Sequence, residues 1–144
     1  MPDLRIKSQY RKDITLRRLD AEHGNGGHVV EKDYFSYFEQ IQHGMNKLGK
    51  ELPGPMAGFS QLHKAAVAEG ALSTKTKELI ALAIAVTVRC DGCISFHVHD
   101  ALQSGATRDE ITEAIGVAVM MGGGPSVVYG SEALEALEQL GNAS

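Results

Sequence analysis

What this sequence lacks narrows the field before anything it contains. Tryptophan is absent, which by itself decides nothing, and cysteine occurs only twice in 144 residues. The first thirty residues hold no apolar stretch long enough for a secretory signal. The most apolar run, Leu79 to Val86, is too short to span a bilayer. There is no excess of positive charge: the formal net charge is -4, which argues against a generic binder of nucleic acid or anionic membrane. No segment alternates apolar and polar residues as a strand does, and no long repeat, low-complexity tract or cofactor motif is visible. The expected location is therefore the cytoplasm. There thiols stay reduced and two closely spaced cysteines are seldom a structural staple.

What is present is ordinary in amount and uneven in distribution. Apolar residues make up 43% and charged residues 22%, the balance of a globular domain. A chain of 144 residues is long enough to bury one core. Residues 1–20 carry six Lys or Arg against three Asp, while the remainder carries eight basic and fifteen acidic residues. Residues 1–30 read as an N-terminal extension ending in Gly24-Asn25-Gly26-Gly27. It is either a basic arm that docks on a neighbouring subunit or a solvated start. Residues 31–144 read as a single helical domain.

The helices announce themselves by spacing and punctuation. Tyr34, Phe38, Ile41, Met45 and Leu48 form one stripe of a helix over about 31–49. A break follows at Leu52-Pro53-Gly54-Pro55, where Pro55 suits the first turn of a second helix that carries Phe59, Leu62 and Ala66 on one face and stops at Gly70. Ser73 is placed as the N-cap of a third, running to about Val88. Between Leu79 and Val86 that helix is apolar all round, which suits a central helix or a subunit interface. A fourth starts near the cysteines and ends at Gly105. Thr107-Arg108-Asp109-Glu110 is a capping box for a fifth, with Ile111, Ile115, Ala118 and Met121 expected inward. Gly122-Gly123-Gly124-Pro125 breaks the chain, and a last helix turns Val127, Leu134 and Leu137 inward. The fold class is all-α, a bundle of about six helices.

The chemistry-bearing residues gather around Cys90-Asp91-Gly92-Cys93. Two thiols three residues apart at a helix start can close a disulfide, and the helix N-terminus favours the thiolate, the species that attacks peroxides and disulfides. His97 lies four residues after Cys93, one turn along the same helix face, where an imidazole can take the thiol proton. His99 points elsewhere. Glu78 abuts the apolar run and shares a face with Leu82 and Ala85: it is either the last solvated residue before that run or a partly buried carboxylate, which is costly unless protonated or paired with a group such as a histidine. Spacing along the chain does not place Glu78 beside His97, because they lie on different helices.

The series Glu78, Cys90-x-x-Cys93, His97 resembles the active-site signature of the alkylhydroperoxidase D-like branch of the carboxymuconolactone decarboxylase superfamily. The run from Leu79 to Ala85 is similar to that family's buried helix. Gly105-Ala106-Thr107-Arg108-Asp109-Glu110-Ile111 and Met120-Met121-Gly122-Gly123-Gly124-Pro125 match it as well. The likeness covers about residues 55–140. It implies an all-helical homo-oligomer, a trimer or hexamer, acting as a thiol peroxidase or disulfide reductase. Cys93 would be the nucleophile, Cys90 the resolving thiol, and His97 with Glu78 a proton relay. Electrons would come from a thiol reductant protein rather than a bound cofactor. Some members carry a histidine just before the second cysteine; this chain has Gly92.

Four other readings compete. Cys90 and Cys93 could be packed thiols, or zinc ligands together with His97 and either His99 or Glu78, although structural zinc usually takes two ligand pairs. The protein could be a non-catalytic redox- or metal-responsive oligomer. It could also be a decarboxylase-type lyase, which the cysteine pair argues against, since the decarboxylases lack it. His23, His28, His43 and His63 share no site spacing and read as surface, and the aromatic group Tyr34, Phe35, Tyr37, Phe38 reads as core or interface.

Overall fold

The computed structural model describes residues 32–141, so the basic arm and the glycine loop before it lie outside the described residues. Six helices follow one another: α1 Tyr34–Glu51, α2 Pro53–Val67, α3 Thr74–Val88, α4 Asp91–Gln103, α5 Arg108–Gly122 and α6 Gly124–Gly141. Among the described residues there is no strand.

The helix starts are chemical rather than accidental. Asp33 caps α1 by accepting the Ser36 N–H at 2.9 Å, and Ser73 caps α3 by accepting that of Thr76 at 3.1 Å. The capping box of α5 is complete: Thr107 accepts the Glu110 N–H and Glu110 accepts the Thr107 N–H. Helix α2 begins at Pro53, two residues earlier than Pro55 predicts, because a proline in the first turn gives up no internal hydrogen bond. It ends at Val67, before Gly70.

Helices α3, α4, α5 and α6 pack on one another to form the body, and α1 lies against α4 and α6. Leu82 and Val86 of α3, Ile94 and Val98 of α4, Ile111 of α5 and Ala133 of α6 are fully enclosed. The aromatic group joins this core: Tyr34 and Phe38 are buried, and the partly buried Phe35 and Tyr37 pack against the core cluster that holds Tyr34. The Tyr34 hydroxyl donates to Glu132, and Gln139 on α6 clasps the start of α1 by accepting the Tyr34 N–H at 2.7 Å and donating to the Lys32 carbonyl at 2.9 Å.

Gly123, at φ 63°, turns the chain between α5 and α6, which glycine does without strain. At Gly122 a Cβ would collide with the Ser126 side chain, so the glycine run serves a tight turn and close packing. Gly130 lets α6 approach α5: a Cβ there would lie 3.0 Å from the Ile115 side chain.

Several apolar residues expected inward face out. Met121 is 73% exposed and Val127 55%. Both sit beside the Gly122–Gly124 break, beyond the core-facing arcs of their helices. Met45 and Leu48 are exposed because α1 runs past the body there. On α3, Glu78, Leu82, Ala85 and Val86 turn inward, whereas Ile80, Ile84 and Val88 are exposed. A helix apolar all round thus has one face in the core and one left uncovered among the described residues. Helix α2 goes further and buries no residue at all; Phe59, Leu62 and Ala66 lie on its exposed surface.

Candidate functional site

The dithiol segment is built by the end of α3. Arg89 adopts left-handed backbone, φ 62° and ψ 47°, a conformation that costs a non-glycine residue roughly 1–2 kcal/mol. Its N–H donates to the Val86 carbonyl at 3.3 Å and that of Cys90 to the Ala85 carbonyl at 3.1 Å, closing α3 in a Schellman pattern. The turn delivers Cys90 directly as the N-cap of α4.

Cys90 and Cys93 are joined in a disulfide, with Cα atoms 5.2 Å apart. The Cys90 sulfur accepts the Cys93 N–H at 3.3 Å, so it occupies the place a serine or aspartate takes at other helix starts. Both cysteines are half-buried, open enough for exchange. Gly92 has a close neighbour: a Cβ there would sit 3.1 Å from the end of the Ile41 side chain of α1, so any larger residue at this position would require that side chain to give by a few tenths of an ångström. Asp91, between the cysteines, is held by Lys32 at 2.5 Å. Burial works to lower the Lys32 pKa, but hydrogen bonding to Asp91 and the charge of Glu132 outweigh it and raise the value. The same ammonium lies over the Tyr37 ring, 4.9 Å from its centre.

The fold supplies what spacing along the chain left open. His97 Nδ1 lies 2.8 Å from Glu78 Oε2. The Glu78 side chain is 3% exposed and that of His97 19%, so the pair sits at the edge of the core with one face to solvent. Helix register puts His97 one turn after Cys93 on the same face. His99 turns away as expected, its ring stacked on Phe38 at 4.5 Å and its Nδ1 2.8 Å from Asp100.

Two members of the neighbourhood escape a reading from sequence. His63 is not a plain surface histidine: it is half-buried and its ring stacks with that of His97, centres 6.3 Å apart. His63, Glu78 and Asp100 bring one ligand atom each within 4.8 Å of one another. Asp100 had a signal, since it lies three residues after His97 and so flanks it on α4. His63 had none.

The all-helical fold thus carries a Cys-x-x-Cys disulfide at a helix N-terminus and a histidine–carboxylate pair one turn on. The chain belongs to the carboxymuconolactone decarboxylase family, to which residues 53–136 match. It is similar to a solved family protein from Legionella pneumophila, at 50% identity over 76% of this chain and 98% of that one, with a TM-score of 0.72. A Thermotoga maritima family member, for which involvement in an antioxidative response has been suggested, is 32% identical over 72% of this chain and 89% of its own, with a TM-score of 0.66. An uncharacterized protein of Cupriavidus necator is 40% identical over 101 residues, 70% of this chain and 89% of its own length.

Proposed function

We propose that the protein is a thiol-dependent peroxidase or disulfide oxidoreductase acting in antioxidant defence, with Cys93 as nucleophile, Cys90 as resolving thiol, His97 as base and Glu78 as the residue that orients it. The observation that carries this reading is the 2.8 Å His97–Glu78 pair, set one helical turn beyond a closed Cys90–Cys93 disulfide.

In the reduced protein His97 takes the Cys93 proton and Glu78 holds the resulting imidazolium. The Cys93 thiolate attacks the distal oxygen of a hydroperoxide. The O–O bond breaks, the alkoxide leaves with the proton from His97, and Cys93 becomes a sulfenic acid. Cys90 gives its proton to the now neutral His97, and its thiolate, favoured by the N–H groups at the start of α4, attacks that sulfur; the departing hydroxide takes the proton back and leaves as water as the disulfide forms. A dithiol of a reductant protein then exchanges with the disulfide, becomes oxidised itself and restores both thiols.

The reading extends to assembly and place. Ile80 and Ile84 of α3, Val117 and Met120 of α5, and Val128 of α6 are exposed on helices that pack side by side, which supports a homo-oligomer, a trimer or hexamer. Residues 1–30 form an extension to the domain of residues 31–144. None of the described helices is long and apolar enough to cross a membrane, which accords with a cytoplasmic enzyme.

Hydroperoxide consumption with a dithiol donor tests the scheme. Cys93→Ser is expected to abolish turnover. Cys90→Ser should still form one sulfenic acid per chain, and Glu78→Gln should slow thiolate oxidation by about 10²–10⁴-fold. Full turnover by Cys93→Ser would overturn the assignment.

A further inference from the structure

Beside the dithiol lies a second constellation that the peroxidase scheme uses only through Glu78. His63 comes from α2, Glu78 from α3 and Asp100 from α4, and their nearest nitrogen and carboxylate oxygens all fall within 4.8 Å of one another. Glu78 is buried, while His63 and Asp100 are half-buried, so the cluster is walled on one side and reachable from the other. Two carboxylates at such a distance, one of them out of water, repel each other unless positive charge lies between them. The one basic group among the three is the His63 imidazole, while outside the cluster His97 Nδ1 lies 2.8 Å from Glu78 and His99 Nδ1 2.8 Å from Asp100; each carboxylate keeps a second oxygen for another partner.

The donor set is specific. One imidazole nitrogen and two carboxylate oxygens suit zinc and its neighbours, which take such ligands at about 2.0–2.2 Å and leave a fourth position for water. Calcium prefers six to eight oxygens and is poorly served by it. Ligands about 2.1 Å from a tetrahedral ion lie about 3.4 Å apart, so a cluster whose ligand atoms fall within 4.8 Å must contract by up to about 1.4 Å to close on one. The element free to move is α2, which buries none of its own side chains.

We propose that His63, Glu78 and Asp100 form a binding site for a zinc-class divalent cation, which on binding ties α2 to α3 and α4. The site is distinct from zinc held by the cysteines, which the closed disulfide removes as ligands. It does not depend on the peroxidase reading, because binding is measured without turnover.

The test uses the full chain, chelator-treated and with the Cys90–Cys93 disulfide closed, so that no thiolate competes for metal. Zinc chloride is titrated by calorimetry, and thermal unfolding is followed with and without the metal. One zinc per chain and a higher melting temperature are expected. His63→Gln and Asp100→Asn should each weaken binding by about 100-fold and remove the rise, whereas His43→Gln, on an exposed part of α1, should change neither. Metal-free melting of each variant shows that it folds, and Asp100→Asn keeps the shape of the side chain. Absence of zinc binding by the unaltered chain would overturn the site. So would unchanged binding in both His63→Gln and Asp100→Asn, or an equal response to calcium.

Discussion

Helix α2 and the four-helix body are made of similar residues and held by different means. Phe59 and Leu62 on α2 are as apolar as Ile94 and Leu82 in the body, yet Leu62 is 66% exposed and Ile94 fully enclosed. The body keeps its shape by burial, and the helix carrying Cys93 and His97 has its other face locked into that burial through Ile94, Val98 and Ala101. Helix α2 is kept in place by its ends: the Pro53 start, its packing on α1, and the Thr74 hydroxyl donating to the Val67 carbonyl at 2.9 Å. The Cys90–Cys93 segment is therefore positioned by the core, whereas His63 arrives on the least anchored helix. A site spanning both has one rigid wall and one adjustable wall.

The sharpest way to break this contrast is Ile94→Ala. It should destabilise the chain by about 2–5 kcal/mol in urea unfolding, because the enclosed side chain next to Cys93 leaves a cavity that α4 cannot collapse. A cost near zero would mean that α4 is not held by burial. Tyr34→Phe comes next. The buried hydroxyl donates to Glu132, and its loss should cost about 1–2 kcal/mol by the same measurement. Burial first, and then the hydrogen bond to Glu132, push the Tyr34 pKa upward, so its contribution is complete below the ordinary tyrosine value and is lost as pH rises through the folded one.

Leu62→Ala sharpens the other side. For the single chain it should change stability by less than about 0.5 kcal/mol. A larger loss that depends on protein concentration would show that α2 lies within the subunit interface. The smallest effect concerns the start of α5. A hydrogen bond from Lys75, and then the Thr107 N–H, hold the Glu110 carboxyl below its ordinary value of 4.5. A lowered folded value gives stabilisation that is complete above about pH 4.5 and fades as pH falls through the folded value. Lys75→Met should flatten that part of an acid-unfolding profile.

Much of the fold was legible in the chain because helix ends are local chemistry. Ser73, Thr107 with Glu110, and Gly105 act on groups within a few residues of themselves, and the structure places them where spacing put them. The stripes were legible only in part. Tyr34, Phe38, Ile111, Ile115 and Leu137 turn inward as their spacing predicts, whereas Met45, Leu48, Met121 and Val127 do not. Periodicity tells which residues share a face. It does not tell whether this chain, or another copy, covers that face.

The candidate site divides along the same line. The sequence by itself determined the Cys90–Cys93 pair, its place at a helix start and the position of His97 one turn later, because each is set by helix geometry over a few residues. Only the tertiary structure decided that Glu78 meets His97 at 2.8 Å, that Ile41 closes over Gly92, and that His63 and Asp100 join the cluster. These contacts join residues on different helices, and their meeting follows from how the helices pack to bury Leu82, Ile94 and Ile111 rather than from spacing along the chain.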